Sequence, residues 1–230
     1  MDARLIAANI SKVLERVGAA AAKYARDPQT ISVLAVSKTH PADAVRAAAT
    51  TGQRDFGENY LQEAEAKIAA LADLDLCWHY IGPLQSNKTR RVAAVFDWVH
   101  SVDREKLLRR LSEQRDAHLP PLNICIQVNI SGEESKAGAS VGELPALLDL
   151  AASLPQLRLR GLMAIPAPSS DFAAQKRDFD ELAALLATAR ERHPDLDTLS
   201  MGMSADLEAA VAAGSTLLRI GTAIFGPRGG

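Results

Sequence analysis

A chain of 230 residues can bury one sizeable hydrophobic core and falls short of two domains of typical size, so a single domain over residues 1–230 is expected. Its 26 basic and 28 acidic residues leave a formal net charge of −2, which disfavours a nucleic-acid binder or an anionic-membrane protein. A content of 47% hydrophobic, 23% charged and 4% aromatic residues leaves the core to Ala, Val, Leu and Ile, and excludes disordered, collagenous and low-complexity chains.

From the N-terminus, Leu5, Ile6, Ile10, Val13, Leu14 and Val17 recur at helical spacing and predict an amphipathic helix over Ala3–Tyr24. The β-branched run Ile31-Ser32-Val33-Leu34-Ala35-Val36-Ser37 then reads as a strand buried on both faces. A helix follows Pro41, and the rhythm continues with strand Arg54–Phe56, helix Tyr60–Leu71, strand Cys77–Ile81, helix Ser86–Val95, strand Trp98–His100 and helix Arg104–His118. The second half repeats it with strand Leu122–Asn129, helix Val141–Ser153, strand Leu157–Met163, helix Phe172–His193, strand Thr198–Ser200, helix Ala205–Ala213 and strand Leu217–Ile220. Alternating strands and helices joined by short linkers demand a parallel sheet covered by helices, and eight such units close into a (β/α)8 TIM barrel, here with an extra N-terminal helix. An open doubly wound sheet is the other candidate, but no G-x-G-x-x-G follows the first strand and no P-loop sequence is present.

The N-terminal Met1-Asp2-Ala3-Arg4-Leu5 lacks the apolar stretch of a signal peptide, and no run approaches membrane-spanning length, so a cytoplasmic protein is expected. Cys77 and Cys125 sit in apolar runs and read as reduced, buried thiols with no evident His partner. The five histidines show no metal spacing, and no metal is expected; His79 reads as a hydrogen-bonded core residue.

In such a barrel the reactive groups belong at the carboxyl ends of the strands. Lys38, in Val36-Ser37-Lys38-Thr39-His40-Pro41, shares the face of Leu34 and Val36. Two readings of it stand: a loop lysine in water, or an amine whose pKa is lowered beside an apolar interior so that it attacks an aldehyde to form a Schiff base. The seventh strand leaves through Ser200-Met201-Gly202-Met203-Ser204, where Ser204 is either a helix cap or a ligand for an anion, and the eighth through Arg219-Ile220-Gly221-Thr222. Gly221 and Thr222 are plain turn residues or, with Ser204, a phosphate cradle of the kind barrels build at these two loops. Arg219 needs a partner, either an inward acid such as Glu58 or a cofactor ring, and Asn59 is a helix cap or a hydrogen bonder for a phenolic oxygen. An amine and an anion cradle at one mouth suit an aldehyde carrying a phosphate, and pyridoxal phosphate is the candidate cofactor.

These residues, together with Phe56-Gly57-Glu58-Asn59-Tyr60, His79-Tyr80-Ile81-Gly82-Pro83-Leu84-Gln85-Ser86-Asn87-Lys88 and Gly161-Leu162-Met163, resemble the pyridoxal phosphate homeostasis protein family, the YggS and PROSC type, from Ile31 to Gly226. The resemblance implies a barrel similar to the alanine racemase N-terminal domain. It also implies Lys38 as the Schiff-base lysine, Ser204, Gly221 and Thr222 around the phosphate, Arg219 facing the pyridine nitrogen, Asn59 near the ring, and a monomer.

Racemisation needs two placed acid-base groups. In alanine racemases the second is a tyrosine brought by a C-terminal β-domain, and this chain stops four residues after Gly226. A guanidinium beside the ring nitrogen also leaves the ring a weaker electron sink than an aspartate would. The expectation is therefore a protein that holds and exchanges pyridoxal phosphate with recipient apoenzymes and carries no catalytic residue. A fold-type III amino-acid racemase or decarboxylase is the alternative, and a barrel that has lost the cofactor a third possibility.

Overall fold

The computed structural model describes residues 2–131 and 136–227. Each apolar run becomes a strand paired in parallel with its neighbours in sequence: β1 (Ser32–Val36), β2 (Asp55–Glu58), β3 (Cys77–Tyr80), β4 (Trp98–Val102), β5 (Leu122–Gln127), β6 (Leu157–Met163), β7 (Thr198–Ser200) and β8 (Leu217–Ile220). β8 pairs back onto β1, so the sheet is a closed barrel without a free edge, as the strand count predicts. The intervening helices are α1 (Ala3–Lys23), α2 (Ala42–Ala49), α3 (Leu61–Ala70), α4 (Thr89–Val95), α5 (Glu105–Gln114), α6 (Leu144–Ser153), α7 (Phe172–Arg190), α8 (Leu207–Ala212) and the single turn α9 (Thr222–Phe225). No helix among the described residues is long and apolar enough to cross a membrane.

Strand alternation sorts side chains into two layers. Ala35, Phe56, Trp78, Tyr80, Val99, Ile124, Ile126, Leu162, Leu199, Leu218 and Ile220 face outward and pack with the helices in one hydrophobic cluster. The residues between them point into the barrel, where Leu34, Val36, Cys125 and Met163 share the space with His79, His100, Ser200 and Arg219, all of them buried. Each fully buried outer leucine contributes about 2 kcal/mol from the area it withdraws from water. The inner layer cannot be held that way, because its polar members need hydrogen-bond partners.

Several elements stop or start where a side chain intervenes. The helix expected over Arg104–His118 ends at Gln114, because the buried Arg115 leaves it to donate to the carbonyls of Ala93 (2.6 Å), Phe96 (2.8 Å) and Pro120 (2.9 Å). The helix expected from Val141 begins at Leu144, since Ser140 donates from its backbone N–H and hydroxyl to Glu143 and closes a turn first. Ser86–Lys88 form a 3-10 turn before α4, and the strand expected to reach Asn129 ends at Gln127. β2 and β4 run two residues further than expected, to Glu58 and Val102.

α1 is capped by Asp2, whose carboxylate accepts from the Arg4 N–H, and buries Ile6, Ile10, Val13 and Val17 on the side that meets α2, α8 and α9. Two polar contacts extend it to the barrel mouth: Asn9 donates to the Ile224 carbonyl (2.9 Å) and Arg16 to the Ser204 carbonyl (3.0 Å). The extra helix thereby supports the loops after β7 and β8.

Gly161 in β6 sits where the pairing with β5 shifts register, and a Cβ there would lie 1.8 Å from the Thr198 carbonyl oxygen of β7. Gly161→Ala must push two strands of a closed sheet apart and is expected to cost roughly 3 kcal/mol, read as a lower urea midpoint. An unchanged midpoint would show slack between β6 and β7 that this packing denies.

Candidate functional site

Lys38, Asn59, Ser204, Gly221 and Thr222 follow β1, β2, β7 and β8 at their carboxyl ends, and Arg219 lies within β8. Val36, two residues before Lys38, packs against Gly221, whose absent side chain would otherwise meet the Val36 carbonyl at 3.2 Å. This contact sets the lysine loop beside the loop after β8.

Lys38 is half-buried, and the backbone on both sides of it is clamped. The buried Lys67 ammonium donates to the Ser37 carbonyl (2.7 Å), Glu58 (2.7 Å) and Glu63 (2.5 Å). The Ser37 hydroxyl donates to Glu58 (2.6 Å) and the Thr39 N–H to Glu63 (2.6 Å). Thr39 has φ +66°, a left-handed conformation costly for a β-branched residue, and these bonds hold it there. His40 stacks on Phe225 of α9 at 5.2 Å, tying the lysine loop to the turn after β8. Burial pushes the His40 pKa down, helped by the nearby Lys67 charge, so the ring is neutral at neutral pH.

Burial pushes the Glu58 carboxyl above its ordinary range, with Lys67 and Ser37 opposing it. Glu58 therefore belongs to Lys67, and the alternative of an Arg219–Glu58 ion pair is corrected.

Arg219 instead points into the barrel below the mouth and has no acidic partner within ion-pair distance among the described residues. Its Nη1 donates to the Ser200 carbonyl (2.6 Å) and hydroxyl (2.9 Å), and its Nη2 to the Ala164 carbonyl (2.9 Å). Burial lowers its pKa to about 10, which still leaves it charged at neutral pH. Of five guanidinium N–H donors these bonds use three, leaving Nε–H and one Nη2–H. Ser200 and Ala164 were not singled out in the sequence. Ser200 stands in a quoted motif, but nothing local marks it as the seat of an arginine.

Ser204 accepts a hydrogen bond from the Ala223 N–H at 3.4 Å, joining the loop after β7 to α9. It does not cap α8, whose N-cap is Asp206, a residue that also accepts from the Met203 N–H. Gly202, at φ +93°, has no room for a side chain, since a Cβ would lie 2.4 Å from that of Ala210. Thr222 is exposed at the first position of α9, where the Ile224 and Phe225 N–H groups donate to the Gly221 carbonyl (2.9 Å each). Asn59 precedes α3 without capping it, and its buried Oδ1 has no partner among the described residues. The carboxyl ends of these strands thus carry an amine, two hydroxyls and an unmet amide acceptor, with a guanidinium below them. That donor set fits pyridoxal phosphate.

The cysteines differ from expectation in two respects. Cys125 is buried, and burial pushes its thiol up to about 12. Cys77 is only half-buried and has the His neighbour that the sequence did not reveal, its Sγ lying 3.4 Å from His79 Nε2. Burial raises the Cys77 pKa as well, so neither thiol is activated at neutral pH.

The family model of the alanine racemase N-terminal domain matches residues 5–229. Fold and site together define a barrel of the alanine racemase type. The pyridoxal phosphate homeostasis protein of Pseudomonas aeruginosa is 60% identical over 223 residues, covering 97% of this chain and 96% of that protein. The protein of the same name from Escherichia coli K12 is 53% identical over 226 residues, 97% of each chain. The chain belongs to the pyridoxal phosphate homeostasis protein family. Among solved structures, PipY of Synechococcus elongatus with pyridoxal phosphate bound superposes with a TM-score of 0.83 at 38% identity, covering 96% of this chain and 99% of that one. Alanine racemase of Corynebacterium glutamicum gives 0.73 at 15% identity, over 98% of this chain and 61% of the racemase, a likeness of fold.

Removal of the Lys67 ammonium would leave Glu58 buried without a counter-charge. Lys67→Met is expected to cost about 3–5 kcal/mol in urea denaturation. The same variant as stable as wild type would mean that the Glu58 cluster does not hold the lysine loop.

Proposed function

We propose that the protein holds pyridoxal 5′-phosphate as a Schiff base on Lys38 and hands it to acceptor apoenzymes, without rapid turnover of its own. The observation that carries this reading is the buried, charged Arg219, held by neutral acceptors and paired across β8 and β1 with Leu34, four residues before Lys38. The cofactor binding of PipY and the function named for the closely similar relatives support it.

The cofactor supplies an aldehyde that a neutral amine captures reversibly with loss of water. The chain supplies the rest. The Ser37–Glu58–Lys67–Glu63 cluster fixes the loop from which Lys38 reaches the mouth. Ser204, Thr222 and the backbone at Gly221 bind the phosphate, and Asn59 lies at the phenolic side of the ring. The unused Arg219 donors serve the ring nitrogen, and their fixed positive charge opposes its protonation, which weakens the ring as an electron sink. Weak carbanion stabilisation favours holding and exchange over turnover.

Wild-type protein mixed with pyridoxal phosphate is expected to gain a visible absorption band that Lys38→Ala lacks, and borohydride reduction should place the label on Lys38 by peptide mapping. Labelling spread over surface lysines would sink the assignment. Transfer is read by reactivation of an apoenzyme, and cofactor that never leaves on that timescale would refute the carrier role. Lys38-dependent incorporation of solvent deuterium at the α-carbon of one amino acid, at an enzyme-like rate, would replace it with a racemase.

Ser204→Ala combined with Thr222→Ala removes two hydroxyls from a charged ligand. Cofactor retention measured by equilibrium dialysis is expected to weaken about a hundredfold. Unchanged retention would move the phosphate elsewhere.

A further inference from the structure

Behind Arg219 the barrel interior contains an unbroken row of polar side chains that holding the cofactor does not by itself require. Ser200 Oγ lies 2.9 Å from Arg219 Nη1 and 2.8 Å from His100 Nδ1. His100 Nε2 lies 3.0 Å from His79 Nδ1, and His79 Nε2 lies 3.1 Å from Asp55 Oδ1. Ser200 closes β7 and Arg219 belongs to β8, whereas Asp55 opens β2 at the opposite rim, so the row crosses the barrel from mouth to floor. His79, His100 and Ser200 are essentially inaccessible, while the Asp55 side chain is 42% exposed.

The two ends dictate every proton between them. An ionised carboxylate only accepts and a guanidinium only donates. Burial works against the Asp55 charge, but the His79 hydrogen bond and the Cys77 thiol hold its carboxyl below the ordinary range. Both imidazoles are driven neutral by burial, so each has one donor and one acceptor nitrogen. His79 must then give its Nε2 proton to Asp55 and accept at Nδ1. His100 must supply that bond from Nε2 and accept at Nδ1 from the Ser200 hydroxyl, which accepts in turn from Arg219. Only this assignment satisfies all the atoms, and it aligns every dipole in one sense, from cation to anion, so that each bond polarises the next.

We propose that Asp55, His79, His100 and Ser200 form a directional hydrogen-bond relay that positions the Arg219 guanidinium and couples its charge to the far rim of the barrel. As positioning residues they leave Arg219 with neutral hydrogen-bond partners and end in a carboxylate four hydrogen bonds away, while Asp206 is the nearer acid whose charge acts on the guanidinium. The coupling to the cofactor rests on the carrier reading above, whereas the relay does not.

The first test uses the protein without cofactor. Nitrogen-15 NMR of the imidazoles is expected to show His79 and His100 neutral at neutral pH, each protonated on Nε2. A proton on Nδ1 of either ring, or a charged ring, overturns the relay whether or not pyridoxal phosphate binds. The second test uses protein loaded with pyridoxal phosphate. Ser200→Ala keeps both backbone carbonyls that hold Arg219 and deletes only the hydroxyl. It is expected to move the absorption maximum of the bound cofactor and to weaken retention about tenfold. Asp55→Ala, at the exposed rim, is expected to move the same maximum in the same direction, which a purely structural role at that distance would not do. It also keeps the proposal testable if Ser200→Ala does not fold. An unmoved maximum in folded Asp55→Ala overturns the coupling; a wild type that takes up no cofactor defeats the carrier reading, and the imidazole spectra still decide the relay.

Discussion

A guanidinium buried inside a closed barrel without an acid next to it is the constraint on which the rest of this structure depends. Desolvation of the charge is costly, and the chain offsets it with neutral acceptors: two backbone carbonyls at the ends of β6 and β7 and one serine hydroxyl. A carboxylate in contact would have stabilised Arg219 more directly and cancelled its charge. The interior of the barrel is polar on β3, β4, β7 and β8 as a consequence, because each hydrogen-bond partner needs one of its own. Stability is left to the outer layer, where Leu, Val, Ile and Ala fill the space between sheet and helices without polar atoms.

A second constraint acts at the mouth. Lys38 is half-buried just past the end of β1, and its loop is positioned through its neighbours. Lys67 performs this by bonding a carbonyl and two carboxylates from three segments, β1, β2 and α3, at one point. The strained Thr39 and the buried Glu58 are local costs of that arrangement, tolerated because the surrounding bonds over-determine the loop. α1 acts similarly on the other side, reaching Ser204 and Ile224 from outside the barrel. The loops after β7 and β8 contain Gly202 and Gly221, and the helix backs them.

Much of this was legible in the chain. Strand and helix periods are local properties, visible within a few residues, and their alternation eight times over leaves closure into a barrel as the natural solution. Lys38, Ser204, Gly221, Thr222, Arg219 and Asn59 could be singled out because each lies within four residues of the carboxyl end of a strand, where barrel chemistry sits. The boundaries of α5 and α6 were not legible, since Arg115 and Ser140 leave the helical pattern for partners elsewhere in the fold or in a local turn.

The sequence by itself determined the strand order and the outward hydrophobic layer, because a period of two or of 3.6 needs only neighbouring residues to express itself. Tertiary structure alone decided the partners: that Glu58 serves Lys67 and not Arg219, that Asp206 and not Ser204 heads α8, and that His79 and His100 stand in line between Asp55 and Ser200. His100 and Ser200 are 100 positions apart in the chain. No spacing rule links residues so distant, and only closure of the barrel, which stacks inward side chains of successive strands across a common axis, brings them within a hydrogen bond.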